Sequence, residues 1–92
     1  MKIEYDKNKS ETNLKERNLS FDEAIYFDWQ TAIYKEDTRK PYSEKRMIAM
    51  GFLNQRIHVI CFTETKEGIR IISFRKANKR EVKRYEEETI DK

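Results

Sequence analysis

Seven cations, Arg70, Arg75, Lys76, Lys79, Arg80, Lys83 and Arg84, fall inside "IRIISFRKANKREVKRY" at positions 69–85, where Glu81 is the single acid. Guanidinium groups bind phosphate through paired N–H donors and keep their charge at any physiological pH, so a group of arginines suits a polyanion. A second pairing lies upstream, where Glu44 stands two residues before Arg46. It can serve as an acid–base group beside a phosphate or as a surface ion pair. Other chemistries find few residues: His58 is alone in an apolar run, Cys61 sits between Ile60 and Phe62 as a core residue does, and Ser20 has a capping role. With only Gly51 and Gly68 there is no glycine-rich phosphate loop, and no clustered His, Cys or carboxylate spacing calls for a metal or other cofactor. What remains is arginine, lysine, tyrosine and carboxylate. That set can cleave RNA, whose 2′-hydroxyl is a built-in nucleophile needing alignment, a base, charge stabilisation and a proton for the leaving 5′-oxygen. A lysine among arginines has its pKa lowered by like charge, which suits it to proton transfer.

The elements that position these groups belong to one domain, 1–92, with a thin core: 37% of residues are hydrophobic and 40% charged. One cysteine excludes an internal disulfide and fits a reducing compartment. The N-terminus lacks an apolar signal region and no segment has the length of a membrane span, so a soluble, cytoplasmic protein without membrane contact is expected. Net charge is only +3, yet residues 1–44 hold 8 basic and 10 acidic side chains while residues 45–92 hold 12 and 7. The positive field is concentrated in the second half, and nucleic acid is the first candidate partner.

Local patterns predict the order β-α-α-β-β-β-β-α. "KIEY" reads as a short strand, and 6–18 as a helix held mainly by Leu14. Ser20 with Glu23 forms a capping box for a second helix at roughly 21–28. Alternation from Trp29 to Tyr34 predicts a strand, 35–44 a loop, and 46–53, 57–63 and 69–75 an antiparallel meander. Asn78 with Glu81 caps a last helix over 79–89, with Val82 and Tyr85 on the sheet. The fold class is α+β: two N-terminal helices and a C-terminal helix around an antiparallel sheet of four to five strands, the terminal helix near its edge. Strand alternation places Arg70 and Arg75 on opposite faces unless a bulge intervenes. Lys76, Arg80 and Arg84 follow at i, i+4 and i+8, a costly stack of like charge, with "EEE" at 86–88 against the macrodipole's preference. Such an arrangement favours phosphate or partner binding over a merely solvated face.

"YDKNKSETNLKERNLSFDEA" at 5–24, Phe27-Asp28, Asp37, Glu44-x-Arg46 with Gly51, and above all "IRIISFRKANKREVKRYE" resemble the BrnT-type toxins of type II toxin–antitoxin systems. The resemblance covers nearly the whole chain. It implies a RelE-like fold and a ribonuclease toxin that halts translation; the expected enzyme is a metal-independent endoribonuclease. It also implies a cognate antitoxin that binds DNA and brings the complex to its operator. The matching positions are Lys9, Asn13, Glu44, Arg46, Arg70, Ser73, Arg75, Lys76 and Tyr85. The resemblance also shows a departure: Glu16, Arg17 and Asn18 stand where the family has Lys-His-Gly, and Asn18 can take the left-handed turn that glycine offers.

The expected site then has Arg46, Arg70 and Arg75 on the scissile phosphate, Lys76 or Lys9 in proton transfer, and Glu44 as base or orienting group. Asn13, Lys79, Arg80, Lys83, Arg84 and Tyr85 would contact RNA or the antitoxin. Arg75→Ala should abolish toxicity with almost no change in melting temperature. The rival readings are a non-enzymatic nucleic-acid-binding module and an inactive antitoxin-binding partner.

Overall fold

Asp6 opens the first helix: its carboxylate accepts the backbone N–H groups of Asn8 and Lys9 at 2.8 and 3.2 Å. The helix, α1 (Lys7–Arg17), ends at Asn18, which adopts φ 55°, ψ 38° and donates its N–H to the Leu14 carbonyl. That is the left-handed stop expected of asparagine in a glycine's place. The computed structural model describes residues 2–89; residue 1 and residues 90–92 of the expected domain lie outside the described residues. Leu14 does not anchor α1, being 47% exposed. Two buried polar residues do: the Ser10 hydroxyl accepts the Phe21 N–H at 2.9 Å, and the Asn13 amide donates to the carbonyls of Leu19 and Phe74 at 2.8 and 2.9 Å.

The second helix expected at 21–28 is instead a single 3₁₀ segment, Phe21–Tyr26. Glu23 accepts the Ser20 N–H as anticipated, but Phe27 is already extended and the Asp28 N–H bonds the Phe52 carbonyl. A 3₁₀ turn is the short form available when the chain must leave after six residues. Nor do residues 29–32 form a strand. The Asp28 carboxylate accepts the N–H groups of Gln30 and Thr31 and the Thr31 hydroxyl, closing a turn. Strand structure starts only at Ile33.

Five strands make one sheet: β1 (Lys2–Glu4), β2 (Ile33–Glu36), β3 (Arg46–Leu53), β4 (Arg56–Glu64) and β5 (Gly68–Lys76), in the order β1-β5-β4-β3-β2. The meander β3-β4-β5 is antiparallel as expected, with Asn54 at φ 58° in the two-residue hairpin between β3 and β4. The sheet as a whole is mixed, because β1 lies parallel to β5. Their long connection through the rest of the fold permits the parallel pairing that a hairpin could not. Gly68 makes it possible sterically: a Cβ there would meet the backbone nitrogen of Lys2 at 2.6 Å.

The two faces of the sheet differ. On the first, Leu19, Phe21, Ala24 and Phe27 pack against Ile60, Phe62, Ile71 and Phe74 in the main core. The second carries a smaller cluster, where Tyr85 and Val82 of α2 (Lys79–Thr89) cover Met50, Ile57 and Val59. The C-terminal helix therefore lies over the face opposite the main core, with Arg84 and Glu88 beside the edge strand β2. Its start is capped reciprocally: the Asn78 side chain accepts the Glu81 N–H and the Glu81 carboxylate accepts the Asn78 N–H, both at 2.9 Å. The rest of the second face, around Cys61, Thr63 and Ser73, is left outside that cluster.

Register explains which side chains project from this part of the face. Ser73 pairs with Cys61 but Ile71 with Phe62, so Ile72 is an extra residue in β5. The bulge reverses the parity of β5, leaving Ile69, Ile71 and Phe74 in the core on one face and Arg70, Ser73 and Arg75 on the other.

Candidate active site

Arg75 lies opposite Val59 on the second face and ends in a two-pronged ion pair with Glu81 at 2.7 and 2.9 Å. Glu81 is delivered by the first turn of α2, the same turn that its carboxylate caps. The pair is half-sheltered, with side chains 38% and 22% exposed. The hydrogen bonds from Arg75 hold the Glu81 carboxyl below its usual value and raise the guanidinium above its own.

Around this pair opens a cleft of about 350 Å³ whose polar lining includes Arg17, Lys35, Arg39, Ser73 and Arg84, over a floor of Ile48, Met50, Val59 and Cys61. Each cation comes from a different element. Arg17 sits in the last turn of α1 and donates to the Asn13 side-chain oxygen at 2.9 Å. Lys35 projects from β2 beside Ile48 of β3. Arg39 is gripped by Asp37 through two bonds of 2.8 Å, and Tyr42 adds its hydroxyl to the same carboxylate at 3.1 Å. Those bonds hold the Asp37 carboxyl well below the ordinary carboxylate range. Arg84 bonds Glu88 one turn on at 3.2 Å. Burial pushes the Cys61 thiol up, so the floor stays uncharged.

The expected site residues separate into groups. Arg46, Arg70 and Arg75 share the second face: Arg46 and Arg70 both lie in register with Thr63, and Arg75 lies four β4 residues away. At ~3.3 Å per residue that is roughly 13 Å between backbone positions along the strand. Lys76 goes the other way. It is the last residue of β5 rather than a helix residue, and it pairs with His58 on the face shared with Phe74. Consecutive strand residues point to opposite faces, so Lys76 cannot join Arg75, nor does it stack with Arg80 and Arg84 on a helix. His58 is buried there, and burial pushes its pKa down.

Glu44 lines a separate cleft of about 440 Å³ in the 36–46 segment, together with Arg39 and Arg46. Lys9 borders a groove of about 310 Å³ with Asn13, Arg17 and Ser73, which adjoins the central cleft through Arg17 and Ser73. Asn13 itself is buried with its amide and oxygen engaged, and its effect on the cleft is to aim Arg17. Tyr85 is buried against Phe52, with its hydroxyl donating to the Thr31 carbonyl at 3.0 Å. Lys79, Arg80 and Lys83 are exposed on α2, and of the helix cations only Arg84 lines the central cleft.

A family model described as "Ribonuclease toxin, BrnT, of type II toxin-antitoxin system" matches residues 5–81. The chain belongs to the BrnT family. No curated protein matches it. The match takes in α1, β2 to β5 and the first turn of α2, and hence every residue of the cleft except Arg84. As a BrnT family member the chain is a type II toxin of ribonuclease class, and such a system implies a cognate antitoxin. No described helix is long and apolar enough to cross a membrane.

Sequence reasoning missed four cleft residues: Arg17, Lys35, Arg39 and Glu81. Two carried a usable signal. Lys35 alternates with Ile33, so on a strand it must share that residue's face. The Asn78–Glu81 capping spacing locates the carboxylate at the start of a helix that immediately follows Arg75. Arg17 and Arg39 are set by Asn13 and Asp37, contacts that no local pattern reveals.

Proposed function

We propose that this BrnT-family chain is an endoribonuclease that cuts RNA without a metal ion, using the substrate's own 2′-hydroxyl. In this reading the strand crosses the half of the second sheet face that α2 leaves uncovered, with the scissile phosphate at the Arg75 cleft. The 2′-oxygen loses its proton and bonds to phosphorus while the 5′-oxygen bond breaks, leaving a 2′,3′-cyclic phosphate and a protonated 5′-hydroxyl. Arg75, Arg39 and Arg84 stabilise the charge on the phosphorane. Lys35, in the same cleft, supplies the proton to the leaving 5′-oxygen, and Glu44, in the cleft that adjoins through Arg39, takes the 2′ proton by way of water; Lys9 borders the surface from the other side as a second proton donor. The antitoxin neutralises the enzyme by covering this face and carries the complex to operator DNA.

The observation that supports this reading most is the Ile72 bulge, which turns Arg70 onto the face that already holds Arg75 and Arg46. The test is incubation of the purified chain with labelled RNA in EDTA. Cleavage to cyclic-phosphate ends supports the enzyme. RNA that is retained intact supports a binding module and rejects the proposal.

A further inference from the structure

Arg46, Thr63 and Arg70 form a straight row across β3, β4 and β5, each in register with the next. Thr63 is 4% exposed, and its hydroxyl is the buried side-chain polar atom that has no hydrogen-bond partner among the described residues. A desolvated hydroxyl with no partner is destabilising, and its retention in a fold calls for a reason. The arginines beside it form no ion pair among the described residues. Ion pairs among the described residues engage Arg39, Arg75 and Arg84, whereas Arg46 and Arg70 have no carboxylate within pairing distance. The Arg46 guanidinium is held over the Tyr42 ring, 4.1 Å from its centroid. Nearby acids do not neutralise the row: Asp37 is spent on Arg39 and Tyr42, Glu44, in one cleft with Arg46, makes no ion pair with it, and neither does Glu4 with Arg70, its register partner from β1.

We infer that the Arg46–Thr63–Arg70 row is a second phosphate subsite, separate from the Arg75 cleft, which takes a backbone phosphate of the same RNA strand a short way from the scissile one. The two guanidinium groups bind the two non-bridging oxygens from either side, and the Thr63 hydroxyl between them donates to one of those same oxygens. This rests on the reading that RNA lies on the open face, and it adds that the strand is gripped at two places roughly 13 Å apart, four β4 residues at the ordinary strand rise.

The test uses a 2′-O-methyl RNA oligonucleotide, which binds but supplies no attacking hydroxyl, read by fluorescence anisotropy against salt. Thr63→Val keeps the shape and deletes the unpartnered hydroxyl. Its Kd should rise about tenfold, the worth of one hydrogen bond to a charged group, while its Tm rises, since nothing in the free fold is lost. Arg70→Gln, at an exposed position, is the second variant; it should weaken binding and make the slope of log K against log salt shallower by about 0.7. Unchanged affinity in both variants, a lower Tm for a folded Thr63→Val, or no binding by the wild type overturns the subsite. If Thr63→Val does not fold, Arg70→Gln decides alone. These outcomes are independent of cutting, so a chain that shows the two-point grip yet leaves RNA intact in EDTA overturns the nuclease reading alone.

Discussion

The pair between Arg75 and Glu81 ties activity to stability, and a double-mutant cycle separates the two. Arg75→Ala removes two bonds of 2.7 and 2.9 Å from Glu81 and leaves that carboxylate only the Asn78 N–H. With side chains 38% and 22% exposed, the pair lies between a surface bridge and a buried one. Solvent screening at that exposure limits the coupling to about 1 kcal/mol, the upper end of the exposed range. For a domain of this size that corresponds to a Tm loss of roughly 4–8 °C for either Arg75→Ala or Glu81→Gln. The double variant should melt close to the single ones. This departs from the expectation of an unchanged Tm for Arg75→Ala, because the sequence does not show that Arg75 also pins α2. The pH dependence has a definite sign. Glu81 is held below its ordinary 4.5, so the stabilisation is complete above that pH and is lost as pH falls through the lower folded value. The Tm gap between wild type and Glu81→Gln should therefore close on acidification. In the RNA assay Arg75→Ala should lose about 10²–10³-fold in rate, as for removal of one donor to a developing charge. A cycle with no coupling refutes the pinning, and an Arg75→Ala chain that cuts at the wild-type rate refutes its placement at the scissile phosphate.

Asn13→Ala should cost about 2–3 kcal/mol, two buried acceptors at ~1–1.5 each, seen as a Tm lower by roughly 8–24 °C; a normal Tm with lost RNA binding would return Asn13 to a contact role. Lys35→Ala should slow cleavage by about 10²-fold, the lower end for a positioned acid, while Lys76→Ala, on the other face, should cut like wild type; the reverse order would contradict the parity of β5. His58, whose folded pKa burial pushes below the usual 6.5, should make stability fall as pH drops below ~6.5 toward that lower value, and His58→Phe should remove this part of the pH dependence in thermal melts.

Much of the chain was legible locally. Caps are short-range hydrogen bonds, and so Asn78 with Glu81 and the left-handed Asn18 were read correctly. The meander strands, each with dense β-branched and aromatic residues, were placed within a residue or two. The same local logic overextended 21–28 as a helix and 29–34 as a strand, because Asp28 closes a turn that alternation does not report. Asn13 and Tyr85 look like candidate binding residues in a polar sequence, yet they bond backbone carbonyls 61 and 54 residues away.

The sequence by itself determined the meander strands, the first and last helices with their caps, and the concentration of positive charge between Arg70 and Arg84. Tertiary structure decided the faces: β1 parallel to β5, α2 over the second face, and Arg70 beside rather than behind Arg75. The reason is parity. One extra residue exchanges the two faces of everything beyond it, and a bulge costs a local ladder interaction worth about 1 kcal/mol. Burying Ile71 and Phe74 on the same side, 2% and 0% exposed, returns ~1.5–3 kcal/mol for each. The core thus selects the bulge, and the spacing Ile69, Ile71, Phe74 carries its trace. Which face then gathers the arginines follows from packing across the sheet, a contact no window of the chain contains.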